Sequence, residues 1–194
     1  ARFYHDYLMK SPGASRVREY VQQRRLSHQI VTRFGLGAAP AEWDALTRFL
    51  TDKGFTKMEL IDAGLAAAGK NGGVYDKFRS RLMLPVIDTN GSVPGFTSRI
   101  LPGDDGPKYL NSPETVVFKK SRLVYGLNIA RRTKRPNLIL VEGNIDVISL
   151  HQRVGVKDLG KVDARFLNGG FFRFGLGIEA GKHGAPRSLD GAGR

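Results

Sequence analysis

The sequence predicts an α+β fold: helices first, then antiparallel hairpins, then the first βα unit of an α/β domain, and last an irregular C-terminal tail. Three observations predict it. Apolar residues recur at three- and four-residue spacing through residues 2–64, the period of amphipathic helices. From about Leu65 the period changes, and Asn-Gly turn signals separate short apolar runs, as hairpins require. The apolar run NLILVEG passes directly into NIDVISLHQRV at helical spacing, which reads as a buried strand feeding a helix in a parallel sheet.

Each element has its own grounds. RFYHDYLMK and SRVREYVQQR carry the helical period, and Ser27 in LSHQIVTRFGLG supplies an N-cap with Gly35 just past the helix end. AEWDALTRFLTDKG sets Trp43, Leu46, Phe49 and Leu50 on one face, which assigns Trp43 to the core, and Gly54 stops the helix. Thr56 with Glu59 three residues on has the spacing of a capping box. GLAAAGKNGGVYDKF and LMLPVIDTNGSVPGFTSRIL read as hairpins, and PGDDGPKYLNSPET as a polar surface loop of the kind that carries function when a rigid sheet holds it. KKSRLVYGLNIARRTKRP reads as a helix ending in a basic cluster before Pro136, where a domain boundary falls. The chain therefore divides into residues 1–135, 136–153 and 154–194. Ten of the last forty residues are Gly and no period persists there, so the tail is expected to be poorly ordered.

Composition narrows the function classes. With 194 residues, 41% of them apolar, the chain can bury a core, and no apolar run approaches the roughly 18 residues of a membrane span, so no membrane partner is expected. The absence of Cys excludes disulfides, thiol catalysis and Cys-ligated zinc within this chain, and fits a cytoplasmic protein. Against 18 Asp and Glu stand 31 Lys and Arg, a net charge of +13 that points to nucleic acid as partner, with an incidentally basic, solvated surface as the alternative.

Within that basic chain, Glu142 closes the apolar strand and Asp146 falls in the first turn of the following helix, with Gly143 between them to let the backbone turn. Such hard oxygen donors suit Mg²⁺ or Mn²⁺ held with substrate phosphates, or an acid–base role for Glu142; a helix cap or a surface pair is the open alternative. In YDKFRSRLMLP, period two puts Tyr75, Lys77, Arg79 and Arg81 on one strand face, where an anion between the cations would relieve their repulsion. A solvated sheet face is again the alternative. Arg99, Lys108, Tyr109, Asn111, Lys119 and Lys120 follow, and Lys108-Tyr109 pairs a charge with a ring, a combination that can hold the backbone and base of a single strand and is a weak signal alone. His5, His28, His151 and His183 show no metal-ligand spacing and are given no role. GAPRSLDGAG lacks the Lys-Ser/Thr pair of a phosphate loop.

YDKFRSRLMLPVID, GFTSR, PKYLNSPET, VFKKSRLVYGL and VEGNIDVISLHQ together resemble the catalytic core of bacterial replicative DNA primases of the DnaG type, over roughly residues 2–153. The resemblance implies a primase N-terminal subdomain over 1–135, the start of a Toprim domain over 136–153, and a divergent tail. It implies a nucleotidyltransferase that makes short RNA primers on a single-stranded DNA template from ribonucleoside triphosphates during replication. By position it assigns Glu142 and Asp146 to catalysis and metal, with Mg²⁺ or Mn²⁺ as cofactor. It assigns Arg79, Arg81, Arg99, Lys108, Tyr109 and Lys120 to template and nucleotide, with Lys77 and Asn111 beside them. Thr97, Ser98 and Asn144 depart from the family pattern, and beyond Arg153 the resemblance stops, without the Asp-x-Asp pair that completes the family's metal site. The expectation is therefore an incomplete, inactive chain, from a frameshifted or truncated gene, lacking the upstream zinc-binding region and the downstream region for the replicative helicase. The rival readings are a non-catalytic single-strand-binding remnant and another Toprim enzyme, such as a phage primase-helicase.

Overall fold

The helical period of the first third resolves into short helices rather than one continuous layer. In the computed structural model, which describes residues 1–132, 140–154, 174 and 175, helix α1 spans Arg2–Lys10, α2 Ser15–Gln23 and α3 His28–Arg33. A 3₁₀ turn at Pro12–Ala14 joins the first two. The Ser27 hydroxyl accepts from the Ile30 N–H at 3.3 Å and caps α3, and Gly35 leaves it with φ +61°. Next come strand β1 (Gly37–Ala39), α4 (Ala45–Thr51) and α5 (Lys57–Asp62). Both arms of the Thr56–Glu59 capping box are made at the start of α5.

Helix α4 is capped from a distance. Asp76, only 1% exposed, accepts from the N–H of Leu46 at 2.7 Å and of Thr47 at 2.9 Å, and from the Thr47 hydroxyl at 2.6 Å. A buried carboxylate thus satisfies donors that the helix cannot satisfy itself. Asp76 ends β3 (Val74–Asp76), which pairs antiparallel with β2 (Ala66–Ala68), the first predicted hairpin.

The second hairpin is the centre of the molecule. β4 (Arg81–Val86) and β5 (Gly95–Ile100) pair along six residues, and β6 (Tyr109–Asn111) completes a sheet ordered β1-β4-β5-β6. Every residue of β4 is buried. Leu82, Leu84 and Val86 join a core with Val17, Tyr20, Ile30 and Phe34, while Met83 packs with Tyr4, Phe78 and Phe96 on the other side. An antiparallel sheet often leaves one face to water. Here β4 is covered on both faces, and exposure begins only toward β6.

Two three-residue strands escape the sequence patterns: β1 lies in the stretch read as helical and β6 in the loop PGDDGPKYLNSPET. Three residues are too few for an alternating signature, and β1 consists of Gly and Ala alone. The helix expected over KKSRLVYGLNIARR is instead a 3₁₀ turn at Lys120–Arg122 followed by α6 (Leu127–Ala130), with Gly126 at φ +81° interrupting any continuous helix.

Strand β7 (Leu140–Val141) leads into α7 (Asn144–Val154), the expected strand–helix unit. The strand paired with β7 among the described residues, β8 (Phe174–Gly175), runs antiparallel, where a parallel neighbour is expected from the βα reading. The boundary at Pro136 and the expected disorder of the tail, β8 apart, lie outside the described residues. Ile145, Val147 and Ile148 seat α7 on the main core. Gln152 fixes its far end, accepting from the Ser27 N–H at 2.7 Å and donating to the Arg25 carbonyl at 2.6 Å. His151 is fully buried, edge-on to Phe34 with ring centroids 5.2 Å apart. No described helix is long and apolar enough to cross a membrane.

Candidate nucleic-acid interface

The expected row Tyr75, Lys77, Arg79, Arg81 does not form. β3 ends at Asp76, and Ser80 adopts φ +49° with its N–H held by the Pro40 carbonyl, so the chain turns between Arg79 and Arg81. A β conformation would preserve the alternation; a left-handed residue breaks it. The two arginines consequently go to different places.

Arg79 lies over the Trp43 ring, with its guanidinium carbon 3.9 Å from the centroid, and 5.4 Å from that of Tyr75. The rings of Trp43 and Tyr75 meet edge to face at 5.7 Å, and Arg79 is held in place by donating to the Asp76 carbonyl. Trp43 is 64% exposed, so its assignment to the core is corrected. The core face of α4 is made by Leu46, while Trp43 precedes the helix and is free to project into solvent. Lys77 is half-buried just past β3, its N–H bonded to the Leu65 carbonyl at 2.9 Å. A cation stacked on an exposed ring is a surface suited to a nucleic-acid base and its phosphate.

A second basic–aromatic group stands at the β5–β6 edge. Arg99 and Tyr109 are paired across these strands, and Arg99 Nη1 donates to the Tyr109 hydroxyl at 2.6 Å. Two residues along β6, Asn111 opposes Thr97 on the same face. The Arg99 guanidinium also lies 5.8 Å from the Tyr20 ring, and Arg24 approaches that ring at 5.2 Å. Lys108 is exposed beside this group. Arg24 is a functional candidate that the sequence reading missed, set against the ring of Tyr20, which is itself buried in the core; the i, i+4 spacing of the two at the end of α2 was the available signal.

The remaining predicted residues take other positions. Arg81 is 7% exposed and donates from Nη1 to the Pro107 carbonyl at 2.9 Å. Burial lowers its pKa and nearby Arg79 lowers it further, while Asp104 opposes both. Lys120 is half-buried, and its N–H bonds to Glu114 at 3.0 Å.

Glu142 and Asp146 are both exposed around the start of α7. Gly143 matters by close approach rather than by an unusual φ: a Cβ there would fall 2.5 Å from Asp146 Oδ2. The described residues contain no group of three or more His, Cys, Asp or Glu able to hold a metal ion. Two exposed carboxylates fit a Mg²⁺ ion that takes its other ligands from water and phosphate.

Among the described residues only three ion pairs form, Lys10–Asp6, Arg16–Asp104 and Arg48–Asp44, so most of the Lys and Arg side chains described stand outside ion pairs. An α+β domain with arginines set against rings on its surface is of the class that handles nucleic acid. Its particular family follows from comparison with known proteins: residues 3–131 match the model of the DNA primase catalytic core, N-terminal domain, and the chain belongs to that family. The chain is 48% identical to the DNA primase of Clostridium acetobutylicum over 139 residues, which cover 71% of this chain and 23% of the relative. It is 42% identical to that of Escherichia coli K12 over 151 residues, 77% of this chain and 26% of the relative. The chain thus spans about a quarter of the length of the curated relatives it matches. Among solved structures, a DnaG primase catalytic domain bound to single-stranded DNA is 40% identical and superposes with a TM-score of 0.72, covering 84% of this chain and 53% of that one.

Proposed function

We propose that this chain is the template-gripping part of a primase that makes RNA primers on single-stranded DNA. The observation that carries the reading is the pair of basic–aromatic groups, Trp43–Tyr75–Arg79 and Arg99–Tyr109–Tyr20–Arg24, in a chain of the primase family. Base stacking on the exposed rings of Trp43 and Tyr109 and phosphate pairing with the adjacent cations together hold a single strand without reading its sequence. Lys77, Lys108, Asn111 and Lys120 are assigned to the same partners, template or the triphosphate of an incoming ribonucleotide. Residues 1–135 form the N-terminal subdomain of the core, and residues 136–153 open its Toprim domain.

Glu142 and Asp146 would hold Mg²⁺ or Mn²⁺. The ion would supply charge neutralisation for a triphosphate, and the protein's own part is to place two carboxylates beside a glycine that leaves room for one of them. With these two acids as its described metal donors, this chain is expected to bind template without joining nucleotides. The helicase contact is made by another part of the whole protein.

Fluorescence anisotropy with a labelled DNA single strand tests the reading. Binding should weaken with salt at a slope of about −2 or steeper in log K against log salt, as three or more neutralised phosphates require. Glu142→Ala should leave that binding intact. A flat salt response would reject the interface, and efficient primer formation from ribonucleotides with Mg²⁺ would reject the claim that this chain does not polymerise.

A further inference from the structure

Arg81 is the odd member of the basic set, because its side chain is only 7% exposed. Its guanidinium instead reaches the loop between β5 and β6. Nη1 donates to the Pro107 carbonyl, and the N–H of Ile100, the residue opposite Arg81 across β4–β5, donates to the Lys108 carbonyl at 3.1 Å. Two successive carbonyls at the entry to β6 are therefore held by one cross-strand pair. At Gly106, where φ is +122°, a Cβ would lie 3.4 Å from Arg81 Nη2 and 3.5 Å from Ile100 Cδ1, so the loop backbone rests directly on both side chains. From the other side Arg16 Nη2 donates to Asp104 at 2.8 Å, and Asp104 in turn favours the charge on Arg81.

The register gives this arrangement a consequence. Arg81 and Ile100 share one face of the sheet, while Arg99 and Tyr109 share the opposite face. The same strands thus carry an anchor on one side and the basic–aromatic contact group on the other.

We propose that Arg81 is a positioning residue: it acts on single-stranded DNA by fixing the Lys108–Tyr109 arm rather than by touching DNA. This rests on the reading above, in which Lys108 and Tyr109 contact the template. Removing the anchor frees the 102–107 loop, and Tyr109 then meets Arg99 for only part of the time. Arg81→Met keeps the apolar stem and removes the fork; Arg81→Lys keeps the charge and a single donor nitrogen, and serves as the milder variant should Arg81→Met fail to fold.

Hydrogen exchange over residues 102–111 and single-strand affinity are measured together on the same variants. Exchange in Arg81→Met should accelerate about tenfold or more, and affinity should fall about three- to tenfold, with Arg81→Lys intermediate in both. Combined with Lys108→Ala, Arg81→Met should add less than it costs alone, whereas with Arg79→Ala the losses should multiply. Unchanged exchange in Arg81→Met, or weakened binding in Arg81→Lys with wild-type exchange, overturns the anchor. Full multiplication of the Arg81 and Lys108 effects overturns it as well. Wild-type affinity in Lys108→Ala alone would instead remove the template reading of the arm, and the proposal with it.

Discussion

Trp43 and Arg79 show how far single residues depart from what their spacing implies. Trp43 shares helical spacing with apolar neighbours, yet it precedes α4 and stands 64% exposed under a guanidinium. A cation–π contact at an exposed site contributes only about 0.5–1 kcal/mol. A stacked base would contribute more. Trp43→Ala should therefore weaken single-strand binding by about 1–3 kcal/mol, with Trp43→Phe close to wild type. The chain contains one Trp, so its fluorescence reports the event directly. Saturating DNA that leaves the emission unchanged would exclude Trp43 from the interface. Arg79→Ala should lower affinity in the same assay without unfolding the domain, since among the described residues Arg79 is tied to a carbonyl and two rings.

Among the elements, α4 depends most on a partner distant in sequence. Its N-terminal donors are satisfied by Asp76, thirty residues away, and the same Asp76 ends the strand whose neighbour Tyr75 meets Trp43. The cap thus couples the hairpin β2–β3 to the aromatic platform. Asp76→Ala strips three hydrogen bonds from a buried site and should cost about 3 kcal/mol or more. Urea unfolding should show a lower midpoint at an unchanged slope. A midpoint within error of wild type would mean that water replaces the cap. By contrast, the Thr56–Glu59 box is exposed and local, and the sequence sufficed to read it.

Over the whole molecule, α7 is the tie between the strand–helix unit and the helical core, and His151 is its buried contact. Neither ring nitrogen has a partner among the described residues, and burial, aided by the Arg33 charge, lowers its pKa from 6.5 to about 4. The unfolded chain therefore takes up the proton first. The stability contributed by neutral His151 is complete above about pH 6.5 and is lost as pH falls toward 4, at up to about 1.4 kcal/mol per pH unit. Between pH 7 and 5 the urea midpoint should fall further in the wild type than in His151→Leu. Equal falls would show that α7 docks without regard to the charge state of His151.

Local chemistry alone determined much of this protein. The caps at Ser27 and Thr56, the two hairpins, the strand–helix unit and the family motifs depend on residues within a turn or two of one another, and such interactions leave their spacing in the sequence. The placement of Glu142 and Asp146 around the start of that helix was legible for the same reason. Tertiary structure decided where the charges went. Arg79 and Arg81, two residues apart, part company because Ser80 turns the chain and because β4 is covered on both faces. Tyr20 and Arg24 join Arg99 only because α2 packs over the sheet that carries it. Exposure and burial depend on which surfaces meet, and surfaces that meet across eighty residues leave no period to read.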